Sequence, residues 1–169
     1  MSLADSNKFD VSIGKRVLDK QLSPDAEIPV YSANVKEPFG YINDLLITDF
    51  SVPSVLWGID GDWMTSYMPE NERFYPTDHC GVLRCKTDDV NPRYLTHILK
   101  REGAKMGFSR SYRASIDRVQ SIIFSVVDRE VQDKTIDKIK ILESQIRQAD
   151  VNLQKLSGKT SEILHHYLD

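Results

Sequence analysis

The 169-residue sequence predicts an α+β fold, with a mixed globular domain over residues 1–127 followed by one long C-terminal helix over 128–169. Three observations carry this reading. Short β-prone runs alternate with turn residues through the first two-thirds of the chain. A single strong helix start, Asn91-Pro92, interrupts them. In roughly the last forty residues, proline is absent and apolar side chains recur every three and four positions.

In chain order, Ile28-Pro29-Val30-Tyr31, Ser54-Val55-Leu56-Trp57 and Gly81-Val82-Leu83-Arg84 read as strands, each bounded by Pro, Gly, Asp or Asn. Asp60-Gly61-Asp62 reads as a hairpin turn into a further strand from Trp63 to Tyr67. After Asn91-Pro92, the residues Tyr94, Leu95, Ile98 and Leu99 share one helix face, and Gly103 is the expected stop. Ile122 to Val127 is a buried-strand candidate. Asp128 can cap the final helix, with Glu130 complementing its dipole in the first turn.

From there Ile139, Leu142, Ile146, Ala149, Leu153, Leu156, Thr160, Ile163 and Tyr167 hold an a/d register with one polar member, Thr160. Such a stripe either pairs with a helix of another chain or packs back on its own domain. Its two-position width fits the first better, because a core-facing helix usually shows a broader apolar face. Ile139, Leu142, Ile146, Ala149, Leu153, Leu156, Ile163 and Tyr167 are therefore the candidate dimerisation residues, and a homodimer is expected.

Composition excludes more than it assigns. Hydrophobic residues at 40% and charged residues at 28% allow a buried core. No apolar run reaches the roughly 18 residues of a membrane span. The N-terminus lacks the basic start and apolar stretch of a secretion signal, so a soluble, cytoplasmic protein is expected. Cys80 and Cys85 lie on either side of the predicted strand Gly81 to Arg84, five positions apart, and so face opposite ways, which points to two reduced thiols. With His79 alone beside them, no metal site is complete, and none is expected.

No catalytic residue is assigned. Asp60 and Asp62 flank a glycine, the pattern of a turn. His79 next to Cys80 invites a thiol-enzyme reading, but neighbours on a strand point apart. There is no glycine-rich phosphate loop, and no dinucleotide fingerprint. The chain reads as a non-enzyme.

Charge is more informative. Net charge is −3, yet residues 93–118 carry seven basic against two acidic side chains, while residues 1–92 carry eight against fifteen. A locally basic stretch can hold a polyanion within an acidic protein. In it, Lys105, Ser109, Arg110, Ser111, Tyr112, Arg113 and Ser115 mix guanidinium groups, hydroxyls and an aromatic ring on a predicted loop. Arginine pairs with guanine's edge through two bonds, and hydroxyls serve bases or phosphates. Tyr31, Ser32, Asn34 and Lys36, where an early strand ends, form a second candidate group, since Asn can bind adenine in bidentate fashion. Both groups are equally readable as solvated surface.

The order of segments resembles one repeat of the specificity (S) subunit of type I restriction–modification systems. The resemblance runs through Ile28 to Asn34, Val55 to Gly61, Thr77 to Leu83, Asn91 to Leu95 and Gly107 to Arg110. It continues to the helix start bearing Gln132 and into the heptad helix. It implies a target-recognition domain that reads one half of a split double-stranded DNA site, and a spacer helix that pairs with another. It also implies assembly with a methyltransferase subunit, which would hold S-adenosylmethionine, and with a motor–nuclease restriction subunit. This chain itself would hold no cofactor. One recognition domain and one spacer helix make half of such a subunit, either a natural half that homodimerises or a piece of a longer one. The segment Val126 to Glu130 lacks the prolines often found before that helix. The competing reading is a coiled-coil interaction module indifferent to DNA sequence.

Overall fold

The computed structural model describes residues 1–168, with side chains described through residue 161. Contacts divide the chain into two units, Met1–Gln132 and Asp133–Asp169.

The strands of the first unit form two small sheets. One is four-stranded and antiparallel, in the order β1 (Phe9–Ile13), β7 (Cys80–Cys85), β4 (Ser54–Gly58), β5 (Thr65–Met68). The other is three-stranded, in the order β3 (Gly40–Ile42), β2 (Ile28–Tyr31), β6 (Tyr75–Pro76), with β2 and β6 parallel. The predicted strands within the sheets are β2, β4, β7 and, two residues later than expected, β5, which forms the expected antiparallel hairpin with β4. β4 is buried along its whole length because both of its faces are covered. Val55 and Trp57 point into the main core with Leu83, Leu95 and Leu99, while Leu56 enters a second core with Val82, Cys80 and Phe74. Burial on both faces is why this strand reads as a continuous apolar run.

Helix α1 (Pro92–Lys105) starts as expected: the Asn91 side chain accepts from the backbone N–H groups of Arg93 and Tyr94, and Pro92 stands at the first turn. Its end differs from the expectation. Gly103 is buried within the helix, where a Cβ would lie 2.2 Å from the Trp63 ring. Its hydrogen side chain lets an indole lie flat against the backbone, and the chain turns instead at Gly107, whose φ is +77°.

Two other expectations are corrected. The turn after β4 is a six-residue loop, Ile59 to Met64, with Gly61 at φ +91°. β5 begins at Thr65, and Trp63 is a loop residue whose Nε1 donates to the Lys100 carbonyl at 2.8 Å. The segment from Ile122 to Val127 is no sheet strand. It is an extended strap with one bridge, Ser2 to Ile123, with Ile122 and Phe124 buried and Ile123 75% exposed. Strand β1, the pair β3 and β6, and the short helix α2 (Ile116–Gln120) are additional to the predicted elements.

The last helix, α3 (Arg129–Leu168), begins after Asp128, whose carbonyl accepts from the N–H groups of Val131 and Gln132. Its 40 residues rise about 60 Å. The fold is thus α+β with a long C-terminal helix, as the sequence predicts. In the second unit Leu142, Ile146, Leu153 and Leu156 are each about 60% exposed, and Ala149 is exposed. Ile139 is half-buried, and the Thr160 hydroxyl turns back to the Leu156 carbonyl. The side chains of Ile163 and Tyr167 lie outside the described residues. No helix among the described residues is long and apolar enough to cross a membrane.

Candidate nucleic-acid interface

The basic loop is a short projection clamped at both ends. Phe108 is buried, packs edge-on against Trp63 at 5.0 Å, and so fixes one end. Ala114 fixes the other: its N–H donates to the Ile59 carbonyl at 2.9 Å, and its carbonyl accepts from Trp57 Nε1 at 2.9 Å. Between them Ser109 and Tyr112 exchange backbone hydrogen bonds of 3.0 and 3.1 Å, which closes a tight turn with Arg110 and Ser111 at its tip. The Ser109 hydroxyl supports the turn from inside, accepting from the Tyr112 N–H and lying 3.2 Å from the Ser111 hydroxyl. A tip held this way loses little conformational freedom on binding.

The predicted contact residues divide accordingly. Arg110 is exposed and forms no ion pair among the described residues. Tyr112 is stacked on Phe108 on one side and covered by the Arg118 guanidinium, 4.0 Å from its ring centre, on the other. It stiffens the loop. Arg113 bonds the Asp60 carboxylate at 3.1 Å. Lys105 bonds Glu102, which also holds Arg101, and these two cations keep the Glu102 carboxyl below its usual range, Lys105 contributing most. Ser115 precedes α2 and its carbonyl accepts from the Val119 N–H. Arg101, Lys105 and Arg113 thus meet carboxylates at close range, while Arg118 meets a carbonyl and a ring and Arg110, at the tip, has no ion pair among the described residues.

The second group leaves β2 at Tyr31. Burial raises the Tyr31 phenol above its usual value, with help from the Glu72 carboxylate and from Tyr41 and Cys80, so it stays neutral. The Ser32 hydroxyl accepts from Thr77 at 3.1 Å. Asn34 is exposed, and its Oδ1 accepts from the Lys36 N–H at 2.9 Å in a tight local turn. The backbone here runs so close to β4 that a Cβ on Gly58 would lie 2.2 Å from the Ala33 carbonyl oxygen.

The fold brings the two groups together. Asn34 and Arg110, 76 positions apart, line one pocket of about 220 Å³ with Ala33, Asp60, Asp62 and Met64. Beside it, Ser32 faces a cavity of about 330 Å³ with Arg16, Thr77 and His79. Arg113 and Ser115 line a groove of about 720 Å³ with Asp78 and Arg118. Two residues in this region are absent from the sequence-predicted set. Asp60 accepts from Arg113 and lies 2.7 Å from His79 Nδ1. These partners sit 19 and 53 positions from Asp60, so no local pattern in the sequence announces them.

Elsewhere the chemistry is quiet. Both cysteines are free, and burial pushes each thiol up to about 12, Arg129 acting slightly against this at Cys85. Neither is a thiolate at neutral pH. Among the described residues no three His, Cys, Asp or Glu side chains gather to hold a metal ion.

No protein-family profile matches the chain. Two curated relatives do, both from Mycoplasma pneumoniae and both described as type I specificity subunits. One, an N-terminal part, is 25% identical over 112 residues, covering 66% of this chain and 58% of that protein. The other is 27% identical over 89 residues, covering 51% of this chain and 26% of that protein. The chain thus spans little more than half of one relative and a quarter of the other. Solved structures share its fold. The type I restriction–modification S subunit from M. genitalium matches with a TM-score of 0.67 at 14% identity, over 93% of this chain and 42% of that one. The HsdS subunit from Thermoanaerobacter tengcongensis matches at 0.60 and 14%, over 88% and 38%. A chain from an assembled type I system matches at 0.57 and 16%, over 94% and 40%.

Proposed function

We infer that this chain, which is similar to type I specificity subunits in sequence and shares their fold, addresses a restriction–modification complex to DNA. It reads one half of a two-part target and does no chemistry itself. The observation that carries this reading is the pocket lined by both Asn34 and Arg110, which brings an amide and a guanidinium, the latter without an ion pair among the described residues, to one small concavity. These are the two side chains best suited to adenine and guanine edges in the major groove. Arg113, Lys36 and Ser115 would then flank the reader and meet sugar and phosphate, fixing register without specifying sequence.

A single recognition unit meets only half of a two-part target, so one copy should bind duplex DNA weakly. Two copies joined through the heptad stripes of α3 would read an inverted repeat with a gap, and linkage would raise affinity without new contacts. A methyltransferase subunit would complete the clamp and supply the methyl donor. The separation of the two readers would set the gap in the target.

Replacing Arg110 with Ala should weaken target binding by about 1–3 kcal/mol and relax preference at one base position. Competition among single-base variants of the target would measure this. Uniform weakening across all variants, with a shallower salt dependence, would make Arg110 a phosphate contact instead. Leu153→Ala should weaken self-association by about tenfold to a hundredfold, since each copy removes apolar surface from the seam. Sedimentation equilibrium would read this, and an unchanged dimer would move the contact away from α3.

A further inference from the structure

Asp60 is the point where three loops meet. The Ile59 N–H donates to the His79 carbonyl at 3.0 Å and the Ile59 carbonyl accepts from Ala114 at 2.9 Å, so the backbones of all three are sewn together beside it. On this frame Asp60 Oδ2 takes the Arg113 guanidinium at 3.1 Å and lies 2.7 Å from His79 Nδ1. Oδ1 is buried and accepts no hydrogen bond among the described residues. One oxygen is committed to two neighbours and the other is buried, so most of the carboxylate's hydrogen-bonding capacity is spent on groups of the protein itself. The Arg113 side chain, by contrast, is 56% exposed, so a polyanion can reach the guanidinium that Asp60 holds.

An arginine loose on such a face would bind any phosphate it met, because that attraction is blind to sequence. We propose that Asp60 is a positioning residue for discrimination. It ties Arg113 in one orientation, so that this guanidinium engages only a duplex already in register and adds little to binding elsewhere. The proposal rests on the DNA-reading function above. It assigns to Asp60 a role in the ratio of target to non-target binding, separate from affinity itself.

The test measures binding to the target duplex and to a scrambled duplex of equal length, for the full chain with its methyltransferase partner. Asp60→Asn keeps the side chain's shape but removes its charge. It should raise scrambled-duplex binding about threefold to tenfold and steepen its salt slope by about one, as one more phosphate is engaged. Target binding should stay level or fall, so the ratio drops by about tenfold. In an Arg113→Ala background the same change should leave the ratio unaltered, because the residue it acts through is gone. Equal weakening on both duplexes, or a full drop in ratio without Arg113, overturns the assignment while leaving the DNA-reading function intact. A wild-type protein that prefers neither duplex overturns that function, and this inference with it.

Discussion

Trp57→Ala should lower folding stability by about 3–5 kcal/mol, the usual cost of emptying a buried tryptophan site. A domain's whole stability is about 5–15 kcal/mol, so much of the margin would go. Trp57 is fully buried, next to the last residue of β4, and faces Gly81 across the ladder to β7. A Cβ at Gly81 would lie 2.1 Å from the indole, so the glycine exists as room for the ring. The indole N–H also holds the Ala114 carbonyl, the inner anchor of the projecting loop. The loss should therefore appear in two readouts: a lower urea midpoint, and weaker target binding under conditions where the variant is still folded. Trp57→Phe, which keeps a ring but removes the donor, should lose less stability and still loosen the loop. A Trp57→Ala protein with an unchanged midpoint would contradict the core described here.

Gln132→Leu should cost about 2–4 kcal/mol, from the desolvation of backbone groups left without partners. Gln132 is fully buried, and its carboxamide is used almost completely. Oε1 accepts from the Asn91 N–H at 2.9 Å, and Nε2 donates to the Asp89 and Val127 carbonyls, each at 2.8 Å. One side chain thus joins the start of α1, the loop before it and the strap that leads into α3. Gln132→Glu separates hydrogen bonding from packing. Its carboxylate would face two carbonyl oxygens, so the folded state would favour the protonated acid and raise its pKa. The folded state then holds the proton longer than the unfolded one. Stability is retained at low pH and lost as pH rises above the ordinary Glu value of about 4.3. Urea midpoints at several pH values would show that slope, and a pH-independent variant would contradict the contact pattern.

What was legible in the sequence follows from how local each cause is. β2, β4, β7 and the start of α1 were readable because their signals lie within a few residues: apolar runs, and Asn91 followed by Pro92. Strand β1 was equally readable, since Phe9, Val11 and Ile13 alternate with Asp10 and Ser12, yet it was not predicted. The run from Ile122 to Val127 misled because its residues prefer extended backbone. A strand also needs a partner, and here only Ile123 finds a bridge. Gly103 misled for a different reason: glycine serves both for turning and for close approach, and only the presence of Trp63 decides between them.

The candidate site shows the same divide. The tip loop was visible in residue type alone, through Arg110, Ser111 and their neighbours. Its stiffness was not, because Trp57, Ile59 and Trp63 lie far away in sequence. Nor was the difference between Arg110 and Arg113, which depends on Asp60, a residue that by itself reads only as part of a turn.

The most direct test of sequence reading is selection from a randomised duplex pool at moderate salt, with the chain alone and with its methyltransferase partner. Enrichment of a gapped target is expected, with halves related by inversion if two copies assemble through α3. If no sequence is enriched even with the methyltransferase present, the chain is no DNA reader, and a coiled-coil interaction module becomes the better description of it.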